Sequence, residues 1–142
     1  MHREKARKPV QPIPVGAIPI EEIRTAQTAI QNHVIPLPLI PLEENRTLIY
    51  LKPENLQPGG SFKIRGAGYA IARSSARELA DGIWTASAGN MGIAVALYAN
   101  RMGIPCTIII PEDAPAAKIE VISRLEARLL KIPFAAYQRV QN

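Results

Sequence analysis

Among the 142 residues there is one cysteine, and there are only two histidines. Cys106 therefore cannot close a disulfide within the chain, and its place in the run CTIII reads as a buried core thiol rather than a nucleophile. A reducing compartment, the cytoplasm, fits that usage. His2 and His33 stand far apart, without acidic or thiol neighbours at ligand spacing, so no protein metal site is expected. Long apolar runs are also missing. Prolines 9, 12, 14 and 19 break up the N-terminal stretch, which argues against a secretory signal, and nothing approaches the roughly 20 apolar residues of a spanning helix. Aromatic residues are scarce, at 5%, and none is interleaved with the basic cluster near the N-terminus, so neither nucleic acid nor a membrane surface is expected as a partner.

What is present has the composition of a folded domain. With 47% hydrophobic residues a chain of this length can bury roughly two-thirds of its unfolded surface. The net charge of +5 is uneven: residues 1–8 hold four basic side chains against Glu4, whereas the remainder holds thirteen against eleven acids. Residues 1–19 thus read as a basic, Pro-rich, solvated arm without assigned function. In IEEIRTAQTAIQNHV the apolar positions 20, 23, 26, 30 and 34 fall near one helical stripe, and TLIYLKPEN reads as a short strand leaving through Pro53. From residue 58 the pattern is regular. The runs GIWTAS, CTIII and RLLKI are separated by helical stretches, which predicts α/β architecture: a parallel sheet with helices on both faces.

The helices carry their own boundary signals. MGIAVALYANRMG is apolar nearly all round and stops at Gly103 and Pro105, as a core helix would. PEDAPAAKIEVISRLEA places Pro115 near a first helical position, with apolar residues at 119, 122 and 125 and with Glu112 and Asp113 favouring the positive end of the dipole. In PGGSFKIRGAGYAI, Gly59 and Gly60 permit a tight turn and Ser61 is a good cap. Ile64, Ala67, Gly68 and Ile71 share a face, so a helix is predicted to begin at Phe62.

That start puts Lys63 in the first turn, where free backbone N–H groups and the dipole disfavour an ammonium, with Arg65 adding a second positive charge. Partial burial beside Phe62 would act the same way. The neutral amine so favoured is what attack on a carbonyl requires. Against that stands the ordinary reading, a lysine pointing into water. A second segment, TASAGN at 85–90, runs from a strand through small residues into the apolar helix. Its amides at Ser87, Gly89 and Asn90 would open at the carboxyl end of a parallel strand, where such sheets bind anions. A plain strand-to-helix turn is an equal reading of the same residues.

The segments LKPENLQPGGSFKIRGA at 51–67, TASAGN at 85–90 and GIPCTIIIPEDAPAAKIEVI at 103–122 together resemble the threonine dehydratase and serine racemase/dehydratase family of pyridoxal-phosphate enzymes. The resemblance spans about residues 20–134, and it implies a tryptophan-synthase-β-like fold. Residues 20–56 would be an N-terminal piece of the large domain, and residues 57–142 a small α/β domain carrying the lysine and the SAGN turn. The resemblance further implies pyridoxal 5'-phosphate as cofactor, with Lys63 bound to its aldehyde and moving the Cα proton. Phe62 would pack by the ring and Asn90 would bond its phenolic oxygen. The turn of Ser87, Ala88, Gly89, Asn90 and Met91 would hold the carboxylate of a small amino acid substrate.

The implied reaction is β-elimination of a hydroxy amino acid to a 2-oxo acid and ammonia. Racemising relatives carry a serine at the position of Ala88, so its absence favours a dehydratase. Met91 stands where relatives usually have histidine, Gly59 where threonine is common, and Glu126 where a glycine would end the helix. Family members run well past 142 residues, and their glycine-rich phosphate loop matches nothing in this sequence. A longer product, completion by another chain in an oligomer, and a non-catalytic fragment are all open.

Overall fold

In the computed structural model, which describes Gly16, residues 18–44 and residues 47–141, the first helix is α1 (Ile20–Ile30). Most of the basic arm lies outside the described residues. Only Ile30 of the α1 stripe is buried, against α2, while Ile20 and Ile23 stay exposed. Strands β1 (Ile40–Glu44) and β2 (Thr47–Leu51) pair antiparallel, with Pro41 opposite Tyr50. The sequence reading found β2 but not β1, because Pro41 speaks against a strand. In a two-stranded ribbon each strand has a free edge, so a missing N–H is tolerated there.

A single 3-10 turn at Glu54–Leu56 leads to α2 (Lys63–Ala72), which begins one residue later than predicted, and then to α3 (Ala76–Leu79). Ser75 caps α3: its hydroxyl accepts from the Glu78 amide, and the Glu78 carboxylate accepts from the Ser75 amide. The alternating units follow as expected: β3 (Ile83–Ala86), α4 (Asn90–Met102), β4 (Cys106–Pro111), α5 (Ala116–Ser123), β5 (Arg128–Ile132) and α6 (Phe134–Gln141). The sheet is parallel, in the order β3-β4-β5. Helix α5 starts after Pro115 with no acid in its first turn, so Glu112 and Asp113 sit in the preceding turn rather than on its dipole.

One face of the sheet is closed by α4 and α5. Ala96, Ile108, Ile110 and Ile122, all nearly inaccessible, form one cluster there. Cys106 packs at its margin, half-buried rather than fully buried as expected, and that burial pushes its thiol up to about 11. A second cluster joins α2 to α4 through Ile64, Ala67, Ile71, Ala94 and Tyr98. The helices approach closely because residue 68 is glycine: a Cβ there would stand 2.4 Å from the Tyr98 ring. On the opposite face, Trp84 and Leu130 are exposed and α6 runs back towards β3 and β4. That arrangement puts the N-termini of α2 and α4 at the two positions that the sequence singles out.

Candidate functional site

Lys63 is the first residue of α2, introduced by a turn that only glycine takes readily: φ is 80° at Gly59 and 74° at Gly60. The Gly60 amide donates to the Gln57 carbonyl at 2.8 Å. The Lys63 amide faces Ser61 Oγ at 3.4 Å, so Ser61 guards the helix start from one residue further back than a regular cap. Buried Gln57 ties this turn to the incoming chain: its Nε2 donates to the Ile35 carbonyl at 2.7 Å, and its Oε1 accepts from the Ile35 amide at 2.9 Å. Sequence reading missed Gln57, since nothing in a lone glutamine announces that both halves of its amide will be used.

Around Lys63 one expectation holds and one does not. Lys63 is half-buried as expected, with its Nζ 4.8 Å from the centroid of the Phe62 ring, but Phe62 itself is 57% exposed. Arg65 does not present a bare charge. Its guanidinium forks onto Glu54, with Nε to Oε2 at 2.9 Å and a terminal nitrogen to Oε1 at 2.8 Å. That bonding holds the Glu54 carboxyl below its ordinary value and raises Arg65. The dipole of α2 therefore remains as the positive influence on Lys63, while the charge of Arg65 is met by an acid.

The second half of the site is the turn from β3 into α4. The Ser87 amide is taken by the Ile109 carbonyl at 3.1 Å, and the Gly89 amide by Ser87 Oγ at 3.2 Å, so neither is a free donor as expected. The Ala88 amide donates to the Tyr137 hydroxyl at 3.2 Å. Among the described residues, the amides of Asn90, Met91 and Gly92 have no acceptor, and these first three N–H groups of α4 point out of the helix end. The exposed Asn90 side chain likewise has no hydrogen-bond partner there. Met91 is half-buried against the cluster joining α2 and α4.

The sharpness of this turn depends on Gly92, which sequence reading also missed. A Cβ at residue 92 would stand 2.2 Å from the Ser87 carbonyl oxygen. The only signal was a glycine in an otherwise bulky helix start. The two halves meet because Gly59 lies against the first turns of α4: a Cβ there would be 3.3 Å from Ile93 Cγ2. Lys63, the Phe62 ring and the Asn90 carboxamide supply an amine, an exposed aromatic surface and an unpartnered amide. They fit the aldehyde and ring of pyridoxal phosphate. Among the described residues, no glycine-rich turn other than the one leading to Lys63 is available for its phosphate.

Comparison with known proteins gives the same family. The family model described as pyridoxal-phosphate dependent enzyme matches residues 30–141. An L-threonine ammonia-lyase of Thermotoga maritima is 44% identical over 117 residues, which is 80% of this chain and 29% of that protein. A serine racemase of Dictyostelium discoideum is 32% identical, covering 91% of this chain and 41% of the relative. The crystal structure of serine racemase from the same organism superposes with a TM-score of 0.78 at 31% identity, over 84% of this chain and 41% of that one. The chain thus spans between a quarter and a half of the length of these relatives. Sequence and fold agree: this chain belongs to the family of pyridoxal-phosphate dependent enzymes.

Proposed function

We propose that the chain supplies the lysine-bearing part of an ammonia-lyase that removes water and then ammonia from a small β-hydroxy amino acid such as threonine or serine. In this reading residues 20–56 are a piece of the large domain, and residues 57–142 form the small domain. Lys63 holds the cofactor and takes the Cα proton at Nζ. Pyridoxal phosphate, when bound, supplies the electron sink for the bond broken at Cα. The Phe62 ring packs beside it, and Asn90 donates from its carboxamide to the phenolic oxygen. The turn of Ser87, Ala88, Gly89, Asn90 and Met91 holds the substrate carboxylate at the positive end of α4.

The observation that carries the reading is the row of three unsatisfied amides at Asn90, Met91 and Gly92 beside the α2 turn that delivers Lys63. Ala88 favours elimination over racemisation, because it has no hydroxyl to hand a proton to the opposite face of Cα. The test is 2-oxo acid release from threonine and from serine by the purified chain with added cofactor. Release that disappears in Lys63→Ala supports the lyase; retention of activity in that variant would refute it.

A second reading has its own observation. Ile40, Leu42, Leu48, Ile49, Tyr50 and Leu51 are all exposed on the β1–β2 ribbon, more apolar surface than a two-stranded ribbon keeps bare when its assembly is complete. The chain then works only together with a further polypeptide, or is a non-catalytic fragment. Absence of product from the chain alone, with the cofactor nevertheless attached to Lys63, is the expected result of that case.

A further inference from the structure

The amide that a carboxylate would share at this turn already has a ligand from the chain itself. Tyr137, 7% exposed on α6, accepts the Ala88 N–H through its hydroxyl at 3.2 Å. Gln141, one turn further along, donates from Nε2 to the same hydroxyl at 2.8 Å and to the Ala86 carbonyl at 3.0 Å. These three bonds fasten α6 across the carboxyl end of β3, the end at which open parallel sheets receive their ligands. The adjoining amides of Asn90, Met91 and Gly92 remain empty. One amide of the turn, that of Ala88, is thus occupied by a neutral oxygen from α6.

We infer that Tyr137 is an internal competitor for the carboxylate position: its hydroxyl holds the Ala88 amide, and α6 must give way before an amino acid carboxylate can take that amide together with those of Asn90, Met91 and Gly92. This rests on the carboxylate reading of residues 87–91. Two properties of α6 suit a releasable element. It is eight residues long, too short to persist by itself, and Tyr137 is its one buried side chain, with Phe134 53% and Val140 42% exposed. Its attachment is mostly polar. A carboxylate brings full negative charge to amides at a helix N-terminus, where a phenol brings only a dipole, so exchange is in the ligand's favour.

The experiment is an amide-resolved NMR titration of the cofactor-free 142-residue chain with acetate and with L-threonine, using L-threoninamide as the probe lacking a carboxylate. Tyr137→Phe keeps the ring and removes the hydroxyl. It is expected to bind both carboxylates about five-fold more tightly, the value of one neutral hydrogen bond, with shifts centred on residues 88–92 and no gain for the amide probe. Gln141→Leu, which cuts the latch without touching the ring, is expected to move affinity the same way and guards against a folding defect in the first variant. Unchanged or weaker carboxylate binding in both variants overturns the competitor role while leaving the carboxylate position intact. No shift at residues 88–92 in any of the three proteins overturns both.

Discussion

Gly92 shows how a single missing methyl decides whether the turn exists. The Ser87 carbonyl oxygen lies where its Cβ would be, and it is backbone, with no flexible side chain to move aside. Gly92→Ala is expected to cost about 1–3 kcal/mol, read as a lower denaturant midpoint, together with chemical-shift changes concentrated at residues 87–92. Glu126 is the opposite case. It follows α5 at φ 59°, in the left-handed region where a side chain is strained, and it accepts only an exposed bond from Asn100 at 3.3 Å. Glu126→Gly is expected to stabilise the fold by about 1 kcal/mol in urea or thermal unfolding, because the relieved strain outweighs that bond. A loss of stability would show that the Asn100 contact matters more than the backbone.

At the scale of elements, α2 is held to the preceding turn by the pair of Glu54 and Arg65. The folded pKa of Glu54 is depressed, so the pair contributes stability above the ordinary carboxylate range, and this is lost as pH falls through the lowered value. The partly exposed geometry limits it to about 1 kcal/mol or less. Between pH 6 and pH 3 the urea midpoint of the parent chain should therefore fall further than that of Glu54→Gln; equal slopes would leave the pair without thermodynamic weight. The same scale explains what was legible. Strands β3, β4 and β5 are continuous apolar runs flanked by turn residues, and α4 ends in a glycine followed by proline, so each could be read locally. The pairing of β1 with β2, the fork of Arg65 on Glu54 and the latch of Tyr137 on Ala88 join residues brought together by other elements, and no local pattern encodes them. The start of α2 was legible to within one residue because Gly59, Gly60 and Ser61 each have a local conformational preference.

At the scale of the molecule, the buried clusters lie where α4 meets the sheet and where α2 meets α4, so the lysine turn and the amide turn belong to one packed unit. The β1–β2 ribbon and the face of the sheet bearing Trp84 and Leu130 expose their apolar residues instead. The chain belongs to its family while covering less than half the length of these relatives. No helix among the described residues is long and apolar enough to cross a membrane. The central claim is that the packed unit alone directs Lys63 to a pyridoxal aldehyde. Borohydride reduction of the chain mixed with pyridoxal phosphate, followed by peptide mapping, tests it. The account predicts the label on Lys63, well above that on Lys52 or Lys131; uniform labelling of the exposed lysines, with Lys63 no higher than the rest, would contradict it.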